Sequence, residues 1–525
     1  MTPRAAIQQL GRMIRDDLRS GELSAGAHSV GDVLVEQPDA VLLIVDVTAV
    51  EARKRRPDQR ICQAYAFMLG QTLERLRQRA EAGQSFGSIV IDQVRSAIAR
   101  QLREGTLAPR AAMLLAAAFT RNGIDLGNGL RNALELAMAQ GGGERAIEAP
   151  PDPSAMLKAL AEGCDHDPFM IHTELAAMIA ATPAELQLTL LDTLVEADAL
   201  DLREASIGWL LAEPALASPL ARRIEAAAKQ GLVSPLSVAH LMIMRNLVPE
   251  SRRSGIDAII KAARVHGPSP SRRSSIQIRE LLISERDGAG AQSIFASVKE
   301  GRDQALVSIL VKQGHGVRDA WVARSLGKAE VEEMLARITT EMPHHEATAE
   351  DVALLVSAAL ADGAATGTMP PFGLVQAIRM IGLSDVTPTA ITVEDLVSTL
   401  LADTDEVNLS EQIISRALRT SGQWRAYNSN VQSWFENGDE VEAARKGKRK
   451  KNERIAAIIE DVLEPRRAFW AEVIAWSAFA RRGGGNDSKW LDMSLVAREL
   501  AGDRPLAELP LATFIAVQTD AAASA

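Results

Sequence analysis

Apolar residues recur along most of this chain at spacings of three and four, the period of helices buried on one side. In "TPAELQLTLLDTLVEA", Leu186, Leu190 and Leu194 follow at i, i+4 and i+8, and Leu191 and Val195 widen the same face. Thr182 stands ahead of them as a cap, Pro183 as the first helical residue and Glu185 at the capping-box position. Asp152-Pro153, Asp167-Pro168, Glu213-Pro214, Ser218-Pro219 and Ser234-Pro235 read as further helix starts. Proline tolerates the first turn, where its missing amide costs nothing, and a polar side chain before it caps the free N–H groups. Later starts are predicted at Thr348 with Asp351, Thr392 with Asp395 and Asn408 with Glu411.

Toward the N-terminus the same period predicts helices over 58–80, 86–104, 107–121 and 127–139. "AVLLIVDVTAV" (40–50) is the one strand-like run there and reads as a buried helix or an isolated strand. Two Gly-rich joints interrupt the pattern, "QGGGERAIEAPPDPS" (140–154) and "RRGGGNDSK" (481–489). The expected organisation is a helical domain at 1–139, a linker at 140–153, helical hairpins at 154–420, an aromatic and basic helical region at 421–482, and C-terminal helices at 483–525.

Prolines 153, 168 and 183 lie fifteen residues apart, and Pro183 to Pro214 is thirty-one, a spacing suited to tandem helix hairpins. In cap positions and repeat length this segment resembles the HEAT-like helical repeat superfamily. That resemblance implies an α-solenoid with a concave binding surface; an irregular helical bundle is the competing architecture. Either way the expected fold class is all-α.

Composition agrees. Aromatics are 4% of 525 residues, and cores of Ala and Leu with few β-branched runs suit helix packing. Cys62 and Cys164 are the only cysteines, too few for a disulfide framework. Charged residues occupy the N-terminus where a signal peptide needs apolar ones, and the run at 40–50 is about half a membrane span. A bacterial, cytoplasmic protein with no membrane contact is expected.

Candidate chemistry is sparse. "CDHDPFMIH" places Cys164, His166, Asp167 and His172 close together, all zinc-ligand types, but the spacing fits no structural zinc pattern and Asp167 is already a helix cap. His344, His345 and Glu346 lack the HExxH spacing and read as an interhelical loop. "GQSFG" (83–87) offers Ser85 in a GxSxG pattern, yet a helix precedes it where a nucleophile elbow needs a strand. "GIDLGNGLRN" (123–132) likewise follows a helix and reads as a turn. No cofactor is predicted, and the chain reads as non-enzymatic.

One stretch stands apart. The net charge is −10, yet Arg445, Lys446, Lys448, Arg449, Lys450, Lys451 and Arg454 fall within ten residues, with Glu453 the only acid. They sit on what the apolar spacing of Ile455, Ile458, Ile459, Val462 and Leu463 predicts to be one long helix ended by Pro465. Like charges on one helix repel, and Gly447 weakens it further. The run is either a solvated extension or a contact for phosphates or an acidic partner. "PSPSRRSSIQIR" (268–279), with Arg272, Arg273 and Arg279, is a second basic patch or a polar loop. Nine of the nineteen aromatics fall between 421 and 490, at the helical spacing of a core.

The expected function is a helical scaffold that binds protein partners, with the basic run as an electrostatic contact. The alternatives are a nucleic-acid-associated protein and a helical enzyme whose site assembles from distant residues.

Overall fold

A computed structural model describes residues 2–141, 153–182, 184–267, 276–301, 303–383, 386–402, 404–405, 409–426, 428–483 and 489–524. The chain parts into two compact units, Met1–Ser206 and Ile207–Ala525.

The first unit is helical throughout its described residues. Gln59–Glu81, Ser85–Arg103, Pro109–Arg121 and Gly127–Gly141 lie where the apolar period puts them. "AVLLIVDVTAV" belongs to the Pro38–Ala52 helix, with Val41, Ile44 and Val45 inaccessible. Leu69, Leu73 and Leu76 share one core with Val94, Ile98, Leu115 and Phe119. Each buried aliphatic of this size contributes roughly 1.5–3 kcal/mol. Beyond the Gly-rich joint, of which 142–152 lie outside the described residues, the Pro168–Ala180 helix packs on this body: Thr120 donates to the Ala177 carbonyl at 2.9 Å and Arg121 pairs with Glu174 at 3.0 Å.

The cap signals resolve one by one. Asp167 accepts from the amides of Phe169 and Met170, and Ser234 from that of Ser237. Thr348 with Asp351 and Thr392 with Asp395 form complete capping boxes. Pro183 lies outside the described residues. Pro219 does not start a helix; it falls inside Pro214–Lys229, only five residues after the proline that does. Asn408 also lies outside the described residues, and Ser410 occupies the N-cap of Glu411–Ser421.

The second unit is mainly helical too, but the all-α expectation fails between 276 and 346. There the chain forms a five-stranded antiparallel sheet: β1 (Ile276–Ser284), β2 (Ala291–Glu300), β3 (Asp303–Lys312), β4 (Gly316–Leu326) and β5 (His344–Glu346), ordered β4-β3-β2-β1-β5. Leu282, Phe295 and Leu306 point to one face, against Leu335 of the Lys328–Glu341 helix. By strand alternation Ile294, Val307 and Ile309 point to the other, which also carries Ala320. A Cβ at Gly373 would lie 1.9 Å from the Ala320 carbonyl oxygen, so the Gly373–Ile381 helix rests directly on β4. Because both faces are covered, Ile294–Ala296 and Ala305–Ile309 are buried without interruption. They lack the period of two that marks a half-exposed strand. The predicted loop at His344–Glu346 is β5, paired to Leu282–Ser284. Of the second basic patch, Arg272 and Arg273 lie outside the described residues and Arg279 stands exposed on β1.

The single long basic helix is also corrected. Asp439–Arg445 ends at the run, Gly447 turns with φ +78°, and a new helix, Lys451–Ala457, continues as a π-helix over Ile458–Leu463. A glycine in the left-handed region and a row of like charges both oppose one continuous helix. The apolar face survives the break, with Ile458, Val462 and Leu463 buried.

Candidate functional site

The basic run forms a turn between two short helices, and its cations divide into two groups. Arg445 and Arg454 point inward to Asp520 on the Pro510–Ala522 helix. Arg445 Nε donates to Asp520 Oδ1 at 3.0 Å; Arg454 donates from Nε to Oδ1 at 2.6 Å and from Nη2 to Oδ2 at 2.9 Å. The Asp520 side chain is 5% exposed. Hydrogen bonds from Arg454 and then Arg445 hold its carboxyl below the usual carboxylate range, against the opposing effect of burial. Arg445 also donates to Glu442, to the Ala523 carbonyl and to Ser524 Oγ. Arg454 Nη1 reaches the Arg449 carbonyl and Lys448 Nζ the Ala444 carbonyl, so the backbone of the turn is tied at both ends.

Lys446, Arg449, Lys450 and Lys451 are left pointing into solvent, where Lys450 reaches Glu453 at 3.4 Å. Beside the turn lies an open basin of about 760 Å³, with Arg445, Lys446, Lys448 and Arg454 in its wall together with Glu442 and Ser524. Exposed large apolar side chains run from Leu18 to Trp321, and among the described residues none occurs beyond it. The surface of the turn is therefore charged without an apolar anchor.

The aromatic stripe behind the turn is core. Trp424, Trp434, Trp470 and Trp476 are almost wholly buried, and Trp434 stands between Trp424 and Trp470 at centroid distances of 6.2 and 6.3 Å. Glu436 lies in this core. Its Oε1 accepts from Arg466 Nε at 2.5 Å and from Trp470 Nε1 at 2.8 Å, and burial raises its pKa.

Sequence reasoning missed a second polar cluster, where "SERDGAG" joins β1 to β2. Glu285, with no accessible side-chain surface, accepts from Arg481 at 2.7 Å and from Asn428 Nδ2 at 2.8 Å, and His345 Nε2 lies 3.0 Å from its Oε1. Arg286 donates to Glu472 at 2.8 Å, and Gln313 donates to the other Glu472 oxygen at 2.6 Å. The Arg286 amide donates to Ser477 Oγ, and its carbonyl accepts from Asn430 and Trp434. These bonds lock the β1–β2 loop to the Arg467–Gly483 helix. The only signal in the sequence was a carboxylate, Glu472, amid the apolar residues of "FWAEVIAW".

The remaining candidates take structural places. Asp167 caps a helix, and His166 Nδ1 contacts Asp201 at 2.6 Å. His172 is half-buried beside the Ala205 carbonyl, and the loss of solvent around its ring lowers its pKa to about 4. Cys164 is partly buried, which pushes its thiol up. Among the described residues no group of three or more His, Cys, Asp or Glu side chains is placed to hold a metal ion. Ser85 opens a helix after a turn in which Gly83 has φ +81°, and Gly123 and Gly127 turn similarly between Pro109–Arg121 and Gly127–Gly141. Among the described residues no helix is long and apolar enough to cross a membrane.

Three domain models match the chain: the uncharacterised protein y4lR N-terminal domain over residues 5–126, the Y4lR second domain over 183–267, and the Y4lR C-terminal helical domain over 394–524. None of these is a HEAT-like repeat model. The basic turn and Asp520 both fall in the third, and the sheet falls between the second and third. Uncharacterized protein y4lR of Sinorhizobium fredii (strain NBRC 101917 / NGR234) is 24% identical over 464 residues, 86% of this chain and 87% of that protein. No solved structure matches.

Proposed function

We propose that this chain, matched along much of its length by the three Y4lR domain models, is an adaptor whose basic turn holds the phosphate backbone of a nucleic acid. The observation that carries the reading is the division of the cations: Arg445 and Arg454 fix the turn on Asp520, and Lys446, Arg449, Lys450 and Lys451 project from it. A tied turn presents its charges without the entropic cost of ordering a loose one. A phosphate backbone favours this surface over a protein partner, because protein interfaces draw their affinity from buried apolar and aromatic anchors and this turn has none. Base recognition is not part of the proposal, since the tryptophans behind the turn, Trp424, Trp434, Trp470 and Trp476, are buried in the core.

Protein partners belong to the same proposal elsewhere on the chain. Met170 and Met178 on Pro168–Ala180, and Leu186 and Leu190 on Ala184–Val195, stand exposed on consecutive helices of the first unit. Such residues suit the binding face that the hairpin pattern implies. The turn is tested by equilibrium binding of labelled DNA and RNA at several salt concentrations, where loss of Lys446, Arg449, Lys450 and Lys451 should abolish salt-sensitive binding.

A further inference from the structure

We propose that the basin beside the turn is a phosphate-ester site whose two arginines are already engaged by the buried Asp520 carboxylate behind its wall, so that the chain carries its own competitor for the ligand. This rests on the reading of the turn as a phosphate contact and names what limits it. Four cations, Arg445, Lys446, Lys448 and Arg454, face one basin of about 760 Å³, more than one carboxylate can satisfy. Asp520 takes a bidentate pair from Arg454 and one bond from Arg445, the geometry by which guanidinium groups recognise phosphate as well as carboxylate. Glu442 lies at the rim, 70% exposed, and takes a further bond from Arg445. A phosphate group entering beside Lys446 and Lys448 meets both arginines only by sharing them with these two carboxylates.

The consequence is opposite in sign to that of a structural ion pair. If Asp520 only shapes the turn, its removal disorders the cations and weakens anion binding. If it competes, its removal leaves two guanidinium groups for the ligand, and binding tightens. The test titrates inorganic pyrophosphate into the full-length chain by calorimetry, with Asp520→Asn, Glu442→Gln and the double variant Lys446→Gln/Lys448→Gln beside wild type. The inference expects Asp520→Asn to bind about tenfold more tightly, Glu442→Gln to bind more tightly by a smaller factor, and the double variant to bind more weakly than wild type. Circular dichroism checks the fold of each. Should Asp520→Asn lose its helices, Glu442→Gln decides, because it touches the rim and leaves the clamp intact. Unchanged or weaker binding by the folded variant that decides overturns the inference, as does the absence of pyrophosphate binding by every variant.

Oligonucleotides with and without a 5′-phosphate, titrated in parallel, separate the two sources of such a group. A preference for the 5′-phosphate assigns the basin to chain ends, and equal binding assigns it to the backbone. Pyrophosphate bound competitively with Asp520, but no oligonucleotide bound by any form, keeps this site and removes the nucleic-acid reading.

Discussion

Asp520 and Arg454 meet in two near-parallel hydrogen bonds, Nε on Oδ1 at 2.6 Å and Nη2 on Oδ2 at 2.9 Å, across 66 residues of sequence. Arg445 adds a third from the opposite side of the turn. One carboxylate on the Pro510–Ala522 helix thus joins the two ends of a cationic turn that is also tied by Lys448 to the Ala444 carbonyl and by Arg454 to the Arg449 carbonyl. Asp520→Asn is expected to lower the melting temperature by roughly 2–4 °C, while the bonds of Arg445 to Glu442, Ala523 and Ser524 and of Arg454 to the Arg449 carbonyl keep the turn in place. The carboxyl is held below its ordinary range, so the clamp is at full strength above about pH 4 and is lost as pH falls below that. A melting curve for the variant that matches wild type at pH 7 would show the clamp to be idle.

The Glu285–Arg481 pair is a more deeply buried case. Both side chains have almost no accessible surface, and Asn428 and His345 converge on the same carboxylate. Glu285→Gln leaves Arg481 in a low-dielectric interior without its anion, which costs about 3–5 kcal/mol. Chemical denaturation followed by tryptophan fluorescence measures this directly, since Trp476 and Trp434 flank the β1–β2 loop. A loss under about 1 kcal/mol would mean that the pair is not the lock described here.

Acid should weaken the fold before its carboxylates titrate. Burial depresses His172 to about 4 and His240 to about 3. The unfolded chain therefore takes up these protons first, near pH 6.5. Stability is complete above that pH and falls as the pH drops, until the folded-state histidines protonate as well. For His172 the interval from 6.5 to about 4 corresponds to roughly 3 kcal/mol. His172→Asn, whose amide can replace Nδ1 beside the Ala205 carbonyl, should flatten this part of the stability–pH profile. The same slope in variant and wild type would assign the acid sensitivity to other groups.

What the sequence disclosed follows from how local each signal is. Asp167, Thr348 and Thr392 cap helices two or three residues away, and their caps are where the pattern put them. The sheet was hidden because Ile294–Ala296 and Ala305–Ile309 are covered on both faces, and a continuous apolar run does not distinguish strand from helix. At the candidate site the seven cations were visible, but their division was not. Arg445 and Arg454 differ from their neighbours only through Asp520, 75 and 66 residues away. Nothing in the spacing of Glu285 and Arg481 indicates that they meet.

The measurement that bears most directly on the proposed function is fluorescence anisotropy of short labelled duplex DNA and single-stranded RNA against salt concentration. Wild type is compared with the quadruple variant Lys446→Gln, Arg449→Gln, Lys450→Gln and Lys451→Gln, which spares the Asp520 clamp. Four exposed cations predict that log K for duplex DNA falls with log salt at a slope of about −3 to −4, and that the quadruple variant loses both the binding and the slope. Equal binding by the two proteins, or none by either at low salt, contradicts the assignment of the turn to nucleic acid.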